Sequence, residues 1–596
     1  MANHSDPESC IRIREDAGEA LTGETDRSAI EPRNNNFRMP TLLSEAEGNT
    51  EHGANCQSCD DPARSETLYM SGSLLRGSRE ISSVSAQADG AGKATSHNPV
   101  IDVDEKSDTS VVPVKLPNKG DDLAEVMEGR DVAKGNADKP PAHRTQRRNH
   151  CASTGLEGVR QAARRDQRLR FTALLHHVTP ALLVESFYTL RKQASAGVDG
   201  VTWREYETLL MGRVHALHRE IHAGAYRAKP SRRVYIPKPD GKMRPLGIAA
   251  LEDKIVQQAV STVLSAIYEA DFLGFSYGFR QGRSQHDALD AVSVGIQSRK
   301  VGWVLDADIR AFFDEIDHGW MLRFLEHRIA DQRILRLIRK WLKAGVIDEG
   351  KRIASERGTP QGAVISPLLA NIYLHYAFDL WANQWRRQRW CGDVIIVRYA
   401  DDSVLGFQHE GDAKRFLSDV RTRFAKFGLT LHPDKTRLIR FGRFAAAQRH
   451  ERGQGKPETF DFLGFTHCCG KSSRGIFKVV RLTIKKRMRA TLSAIREALI
   501  RRRHEPVPVI GRWLESVVRG YFNYHAVPDN MKRLSGFRDE VCRAWRFALM
   551  RRSQRHRMPW SRFRLLVRKF LPACRVVHPL PGERFDVKTQ GRSRMR

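Results

Sequence analysis

The sequence predicts an α+β or α/β domain built on a sheet, followed by a basic helical domain. Short β-rich runs alternate with longer helical patterns between residues 230 and 470, as in domains that combine helices with a sheet. After Lys471 the pattern is helical throughout. Residues 1–150 contain only two aromatic side chains, too few for a packed core, so we expect a disordered acidic leader there.

Charge predicts the class of partner. The chain has 596 residues, with 100 Lys and Arg against 69 Asp and Glu. Residues 1–150 hold 18 basic and 26 acidic side chains, whereas residues 151–596 hold 82 basic and 43 acidic ones. Such a basic body predicts a large polyanion as partner, and nucleic acid is the first candidate. The length excludes a peptide or a disulfide-rich miniprotein.

Cysteine content and hydropathy indicate the compartment. The nine cysteines have no regular spacing, which favours a reducing interior over a disulfide framework. No run of eighteen apolar residues and no signal-like N-terminal segment occurs, so we expect neither membrane insertion nor secretion. The expected location is the cytoplasm, with association with the nucleoid left open.

The first folded region is expected to begin near Leu156 and to extend to residue 300. Leucines recur near helical spacing in residues 170–193, which predicts amphipathic helix. The run RRVYIP (232–237) predicts a strand, followed by a turn at the PDGK tetrapeptide.

Residues 301–470 carry the paired acids. The runs DVIIVRYA (393–400) and SVLGF (403–407) predict a hairpin with Asp401 and Asp402 at its tip. Upstream, the strand GWVLDADI (302–309) ends in Asp306 and Asp308. Mg²⁺ prefers oxygen ligands, and three aspartates from two strands suit a two-metal site for phosphoryl transfer. The simpler interpretation of the tetrapeptide is a solvated Asp-Asp turn.

Eight motifs follow one another between residues 195 and 465. They are SAGVDGVTW (195–203), RRVYIPKPDGKMRPLGIAALEDKIVQQAV (232–260), FSYGFRQGRSQHDAL (275–289), VLDADIRAFFDEIDH (304–318), RGTPQGAVISPLLANIYLH (357–375), RYADD (398–402), GLTLHPDKTRLIRFG (428–442) and FDFLGF (460–465). Over about residues 156–470, the chain thereby resembles the reverse transcriptases encoded by bacterial group II introns, also called intron maturases. The resemblance implies an α+β fold whose antiparallel sheet bears the hairpin.

The resemblance implies a right-hand polymerase and roles for individual residues. It implies an N-terminal extension and fingers in residues 151–300 and a palm in residues 301–470. It makes Asp308, Asp401 and Asp402 the catalytic ligands of Mg²⁺, and leaves Asp306 structural. Asp314 and Asp317 are expected to cap or bridge the following helix.

The resemblance also implies a site for the incoming dNTP. Gln361 and Gly362 are expected to line it, and Lys238 and Arg244 to grip the triphosphate. Phe313 is expected to exclude the sugar 2′-hydroxyl, with the register between Phe312 and Phe313 left open. Exposed solvated charge is the alternative for the two cations. Lys435 resembles a motif near the primer end, at lower priority than these residues.

The basic C-terminal part resembles the family's thumb, or maturase domain, in residues 471–556. Three helices are predicted, over 483–503, 507–524 and 530–553, and residues 557–596 are expected to form a basic segment that binds nucleic acid. The family's C-terminal HNH endonuclease is not expected, since no paired cysteines follow residue 470. The candidate RNA-binding residues are Arg487, Arg501, Arg502, Arg503 and Arg512.

The predicted function is RNA-directed DNA synthesis for a group II intron, with assistance to splicing and retrohoming. The expected partners are intron RNA, an RNA template with its DNA primer, dNTPs and target DNA. The sequence leaves the oligomeric state open, a homodimer included. Two alternatives stand beside this function: a reverse transcriptase without an intron, serving defence or diversification, and an RNA-binding splicing factor without polymerase activity.

Overall fold

The structure is a computed structural model, and it describes residues 144–237, 243–388, 391–555 and 557–589. The prediction for the acidic leader therefore falls almost entirely outside the described residues, and so does Lys238. None of the helices in the described ranges combines the length and the apolar character needed to cross a membrane.

Eighteen α-helices and eleven strands make up the described part of the chain. The helices are α1 (Arg144–Arg165), α2 (Pro180–Thr189), α3 (Trp203–Thr208), α4 (Leu210–His222), α5 (Leu251–Asp271), α6 (Gln285–Ser298), α7 (Phe312–Glu315), α8 (His318–Glu326), α9 (Gln332–Lys343), α10 (Ser366–Leu374), α11 (Leu380–Gln388), α12 (Glu410–Ala425), α13 (Ala445–Glu451), α14 (Lys485–Arg501), α15 (Val507–His525), α16 (Met531–Met550), α17 (Trp560–Phe570) and α18 (Pro581–Thr589). The strands are β1 (Ser231–Pro237), β2 (Met243–Ile248), β3 (Trp303–Asp308), β4 (Val346–Asp348), β5 (Lys351–Ile353), β6 (Val394–Tyr399), β7 (Asp402–Phe407), β8 (Arg437–Arg440), β9 (Phe460–Phe462), β10 (Phe465–Lys471) and β11 (Phe477–Thr483).

The central sheet has the strand order β6-β7-β3-β8, and all its pairs are antiparallel. Neighbouring residues of a strand face opposite sides of a sheet, and here both sides are covered. Leu305 of β3 joins the core formed with α5, α10 and α12, whereas Val304 joins a second core with α6 and β9 to β11. The sheet is therefore buried on both faces, while Asp308 and Asp402 lie at strand ends.

Two smaller sheets and a helical bundle complete the fold. One sheet has the order β2-β1-β4-β5, and β1 pairs with β4 in parallel; the other has the order β11-β10-β9. Helices α14 to α17 share a separate apolar core that includes Leu514 and Trp545, both fully buried. The three predicted C-terminal helices correspond to α14, α15 and α16, within three residues at each end.

The first helix starts earlier than predicted, and the helical region predicted from its leucines is interrupted. Helix α1 begins at Arg144, six residues before residue 150, the expected end of the leader. Residues 170–193 do not form one continuous helix, because Thr179 takes an extended conformation and its side chain accepts a hydrogen bond from the backbone N–H of Leu182. Pro180 then occupies the first turn of α2, where its missing N–H costs nothing.

Candidate active site

Three aspartates meet at one end of the central sheet. In the antiparallel register, Asp308 at the end of β3 is opposite Asp402 at the start of β7. Asp402 is also opposite Tyr399, so that Ala400 and Asp401 form the tight connection between β6 and β7. Ala400 has a φ of 54°, which is uncommon for a residue with a side chain. Strand register and this turn bring the three predicted acids together.

Lys435 lies among these acids. The backbone N–H of His432 donates to the carbonyl of Asp308 at 2.8 Å, which holds residues 430–435 beside the end of β3. The Lys435 ammonium donates to the Asp308 carboxylate at 2.8 Å. Burial alone would lower the pKa of Lys435, but this hydrogen bond and the charges of Asp308, Asp402 and Asp401 outweigh it and raise the pKa above its usual range. Lys435, which its motif alone placed at lower priority, thus contacts one of the predicted metal ligands directly.

The donor set suits a hard divalent cation. Asp308 is 19% exposed, Asp401 is half-buried and Asp402 is exposed, so their carboxylates can meet solvent ions. Carboxylate oxygens are the ligands that Mg²⁺ prefers, and the Lys435 ammonium is already drawn to them. Within the described ranges no three acidic, His or Cys side chains are close enough together to hold a metal ion as they stand.

The other acids of this region have local partners. Asp306 lies 3.5 Å from the guanidinium of Arg437. Burial raises the pKa of Asp306 to about 6, although Arg437 opposes the shift. Asp317 caps α8, since its carboxylate accepts a hydrogen bond from the N–H of Trp320 at 2.8 Å, and the expected capping role is confirmed.

Phe312 and Phe313 have different surroundings. Phe312 is 2% exposed and lies in the main core, where its ring contacts Tyr373 edge to face. Phe313 is half-buried and packs on the rim of that core. The carbonyl of Phe313 accepts a hydrogen bond from the N–H of Thr359 at 2.8 Å. Of the two rings, Phe313 is therefore the one with exposed surface that a ligand can contact.

Gln361 and Gly362 lie against β2. The carbonyl of Gln361 accepts a hydrogen bond from the N–H of Gly247 at 2.6 Å. Gly362 has a φ of 106°, and a Cβ there would lie 2.9 Å from the Gly247 carbonyl oxygen, so no other residue fits without a shift. Arg244 is exposed on the same strand. The structure thus brings three of the predicted nucleotide-binding residues to one neighbourhood.

The candidate RNA-binding arginines differ in availability. Arg487, Arg501, Arg503 and Arg512 are exposed on or next to α14 and α15. Arg502 is half-buried, with its guanidinium 3.0 Å from the Glu505 carboxylate and 5.0 Å from the Trp513 ring centre. Arg502 therefore stabilises the end of α14 more than it offers charge to a ligand.

Part of the C-terminal segment predicted to bind nucleic acid packs against the rest of the protein instead. Helix α18 packs against α6. Arg584 lies 2.7 Å from the buried carboxylate of Asp290, and Phe585 is 8% exposed in the second core. Arg562, Arg564 and Arg568 of α17 remain exposed, so α17 carries part of the exposed basic surface of this segment.

Comparisons of the sequence with known proteins identify a matching family. The sequence model of the family described as Reverse transcriptase (RNA-dependent DNA polymerase) matches residues 236–467. Protein YkfC of Escherichia coli is 38% identical over 272 residues, which are 40% of this chain and 71% of YkfC. The matched family range contains all three clustered aspartates.

Two relatives carry names that refer to introns. The group II intron-encoded protein LtrA of Lactococcus lactis is 35% identical over 207 residues, 34% of each chain. The putative COX1/OXI3 intron 1 protein of Saccharomyces cerevisiae is 26% identical over 385 residues, 56% of this chain and 43% of that protein. The chain thus spans a third of LtrA and under half of the yeast protein.

Proposed function

The chain belongs to the family of reverse transcriptases that includes group II intron-encoded proteins, and from that membership we propose that it is an RNA-directed DNA polymerase that copies an intron RNA and assists its splicing. One observation carries the proposal. Asp308 and Asp402 face each other across neighbouring strands, and Asp401 occupies the turn beside them. A protein that only bound RNA would have no use for this acidic cluster at the end of a buried sheet.

We assign Asp308, Asp401 and Asp402 to divalent metal binding, with Mg²⁺ as the expected ion. When bound, such ions lower the pKa of a primer 3′-hydroxyl and neutralise charge on the triphosphate and its leaving group. The protein itself supplies carboxylate oxygens on a rigid sheet end. Lys435 keeps the carboxylates partly neutralised, because its ammonium is attracted by all three.

The groups around Gly247 are assigned to the incoming nucleotide. Arg244, with Lys238, which lies outside the described residues, supplies positive charge for the triphosphate. Gln361 offers amide hydrogen bonds, and Gly362 allows the backbone to approach a ligand closely. Phe313 excludes a ribose 2′-hydroxyl by its bulk, which selects dNTPs over ribonucleotides.

The basic helices are assigned to structured RNA and to the target DNA. Exposed Arg487, Arg501, Arg503 and Arg512 can pair with phosphates, which is the main source of affinity for nucleic acids. We place the fingers in residues 151–300, the palm in residues 301–470 and the thumb, or maturase domain, in residues 471–556.

Primer extension by the purified chain tests the proposal. On an RNA template, wild type should add dNTPs to a DNA primer in the presence of Mg²⁺. Asp401→Asn should abolish this addition, because removing an anionic oxygen weakens metal binding and the neutralisation of charge. Asp539→Asn, an exposed change on α16, is the matched control and should behave as wild type.

Binding measurements separate the two parts of the proposal. Asp401→Asn should still bind the intron RNA that is coded around its own gene as tightly as wild type does. A wild-type protein that binds this RNA but never extends a primer would contradict the polymerase assignment. Extension without preference for intron RNA would contradict the intron assignment.

A further inference from the structure

The connection between β6 and β7 is held in a conformation that its own sequence does not favour. Ala400 has a positive φ of 54°, and a residue with a Cβ is found there only when its surroundings enforce it. A Cβ on Gly278 would lie 2.4 Å from the Ala400 backbone nitrogen, so residues 275–279 press against the turn. Asp401 follows Ala400 directly, and its placement depends on this contact.

The buried side chain of Arg398 contacts the turn from the protein interior. Arg398 is fully buried, and its guanidinium Nη1 donates to the Ala400 carbonyl at 2.9 Å. Its Nε and Nη2 donate to the two carboxylate oxygens of Asp379 at 2.7 and 2.6 Å. The remaining bonds go to Asn371 Oδ1 at 3.1 Å and Ser276 Oγ at 2.7 Å. All five N–H groups of the guanidinium are thus used.

The partners of Arg398 come from separate parts of the chain. Asp379 ends a π-helical turn, His375–Asp379, between α10 and α11, and π-helical turns often occur at functional sites. Asn371 lies on α10 and donates to the Gly278 carbonyl at 2.7 Å. The backbone of Arg398 itself bonds to Phe275 and Tyr277 at 2.9 and 2.8 Å. The network therefore joins α10, the π-helical turn and residues 275–278 to Ala400 and Asp401, the acidic turn between β6 and β7.

We infer that Arg398, held by Asp379, is a positioning residue that holds the backbone of the connection from which Asp401 and Asp402 bind a divalent metal. The inference rests on the proposed polymerase function and adds the group that orients its metal-binding acids. Arg398 is too deeply buried to contact a substrate, so it acts through the Ala400 carbonyl. Lysine cannot replace it, since an ammonium has no planar fork and fewer donors.

A second buried ion pair provides a matched control for plain loss of stability. Arg481 and Asp290 are 2.6 Å apart and at most 2% exposed, like Arg398 and Asp379, which are both fully buried. Arg481 lies on β11 and makes no hydrogen bond with the acidic turn in the described part of the chain. Arg398→Lys and Arg481→Lys should both lower the melting temperature. Only Arg398→Lys should change the positions of Asp401 and Asp402.

The experiment measures Mn²⁺ binding to the full chain, free of nucleic acid, by electron paramagnetic resonance. Arg398→Lys should raise the Mn²⁺ dissociation constant by about 10- to 100-fold, the usual effect of removing a group that orients metal ligands. Arg481→Lys should leave this constant unchanged. In primer extension, the Mg²⁺ concentration for half-maximal rate should rise in parallel for Arg398→Lys alone.

A milder variant keeps the test decisive if Arg398→Lys does not fold. Ser276→Ala removes one acceptor and leaves the carboxylate fork intact, and it should raise the Mn²⁺ dissociation constant by about fivefold, the value of one hydrogen bond. Wild-type Mn²⁺ affinity in the folded Arg398 or Ser276 variant would overturn the inference, even if wild type extends primers. Failure of wild type to extend primers would instead count against the proposed function.

Discussion

The ammonium of Lys435 lies 2.8 Å from the carboxylate of Asp308. Lys435 follows β7 and α12 in the chain, and it is 62% exposed, so it can leave the acids without disturbing the core. An exposed ion pair of this kind contributes little to stability. Its importance is that the ammonium and a divalent cation would share the same carboxylate oxygens.

Replacing Lys435 with Met should therefore tighten metal binding. Without the competing ammonium, Mn²⁺ binding no longer has to break an exposed ion pair. The free energy of binding should therefore improve by at most about 1 kcal/mol, or roughly fivefold in Mn²⁺ affinity. The measurement is the Mn²⁺ titration of the chain without nucleic acid. Lys229→Met is the matched control, because Lys229 pairs with Asp199 at 3.1 Å and is also partly exposed. Unchanged or weaker binding in Lys435→Met would contradict the competition.

Phe313→Ala should increase ribonucleotide incorporation, because the ring's bulk is what we propose to exclude the 2′-hydroxyl. Primer extension with each dNTP and its ribonucleotide counterpart measures the selectivity. Phe312→Ala is the control: its ring is buried, so it should cost about 3 to 5 kcal/mol of stability with little change in selectivity. If Phe312→Ala lowers selectivity and Phe313→Ala does not, the assigned register is off by one.

Sequence patterns predicted well those features that depend on local periodicity and on ordered motifs. The runs around the paired acids became β6 and β7, and the helices after Lys471 became α14 to α16. The strands follow from continuous β-branched and apolar runs, and the helices from apolar side chains that recur at helical spacing. The three aspartates were found because Asp308 ends the run that became β3, and because Asp401 and Asp402 stand at the predicted turn between β6 and β7.

Long-range partners could not be predicted in this way. Arg398 stands in the run VIIVRY and reads as one polar residue in a strand, whereas Asp379, 19 positions away, reads as part of a helix. Nothing local shows that they pair. Arg584 was likewise included in the basic segment predicted to bind nucleic acid, because only the folded chain places it against Asp290. Such contacts depend on tertiary packing, which leaves no periodic trace.

His375→Phe should make the fold less sensitive to acid. Burial lowers the pKa of His375 to about 4 from an ordinary 6.5, although Asp379 opposes the shift. As the pH falls, His375 is protonated in the unfolded chain before it is protonated in the folded one. Its contribution to the free energy of unfolding is therefore complete above pH 6.5 and is lost as the pH falls towards 4.

Between about pH 7 and about pH 5, wild type should lose about 2 kcal/mol more stability than His375→Phe. Urea unfolding at both pH values measures the difference. His450→Gln, an exposed change, should keep the wild-type pH dependence. Equal acid sensitivity in wild type and His375→Phe would show that this histidine is not buried in its neutral form.

The last prediction concerns the exposed arginines at the end of α14. Changing Arg501 and Arg503 to Gln should weaken binding to structured intron RNA and flatten its salt dependence, because each phosphate contact contributes roughly 0.7 to 0.9 to the slope of log affinity against log salt. Arg502→Gln is the matched comparison. Its guanidinium is engaged with Glu505 and Trp513, so it should lower the melting temperature and change the slope little.

These two variants distinguish an RNA-binding surface from a defect in polymerisation. Arg501 and Arg503 are far in the chain from the clustered aspartates, and α14, at whose end they lie, packs in a separate apolar core. Extension of a saturating, preformed primer-template should therefore fall much less in the double variant than binding to intron RNA does. Binding titrations at several salt concentrations, run beside that extension assay, decide the matter. An unchanged slope in the double variant would mean that this pair is a solvated end of α14 without a role in RNA binding.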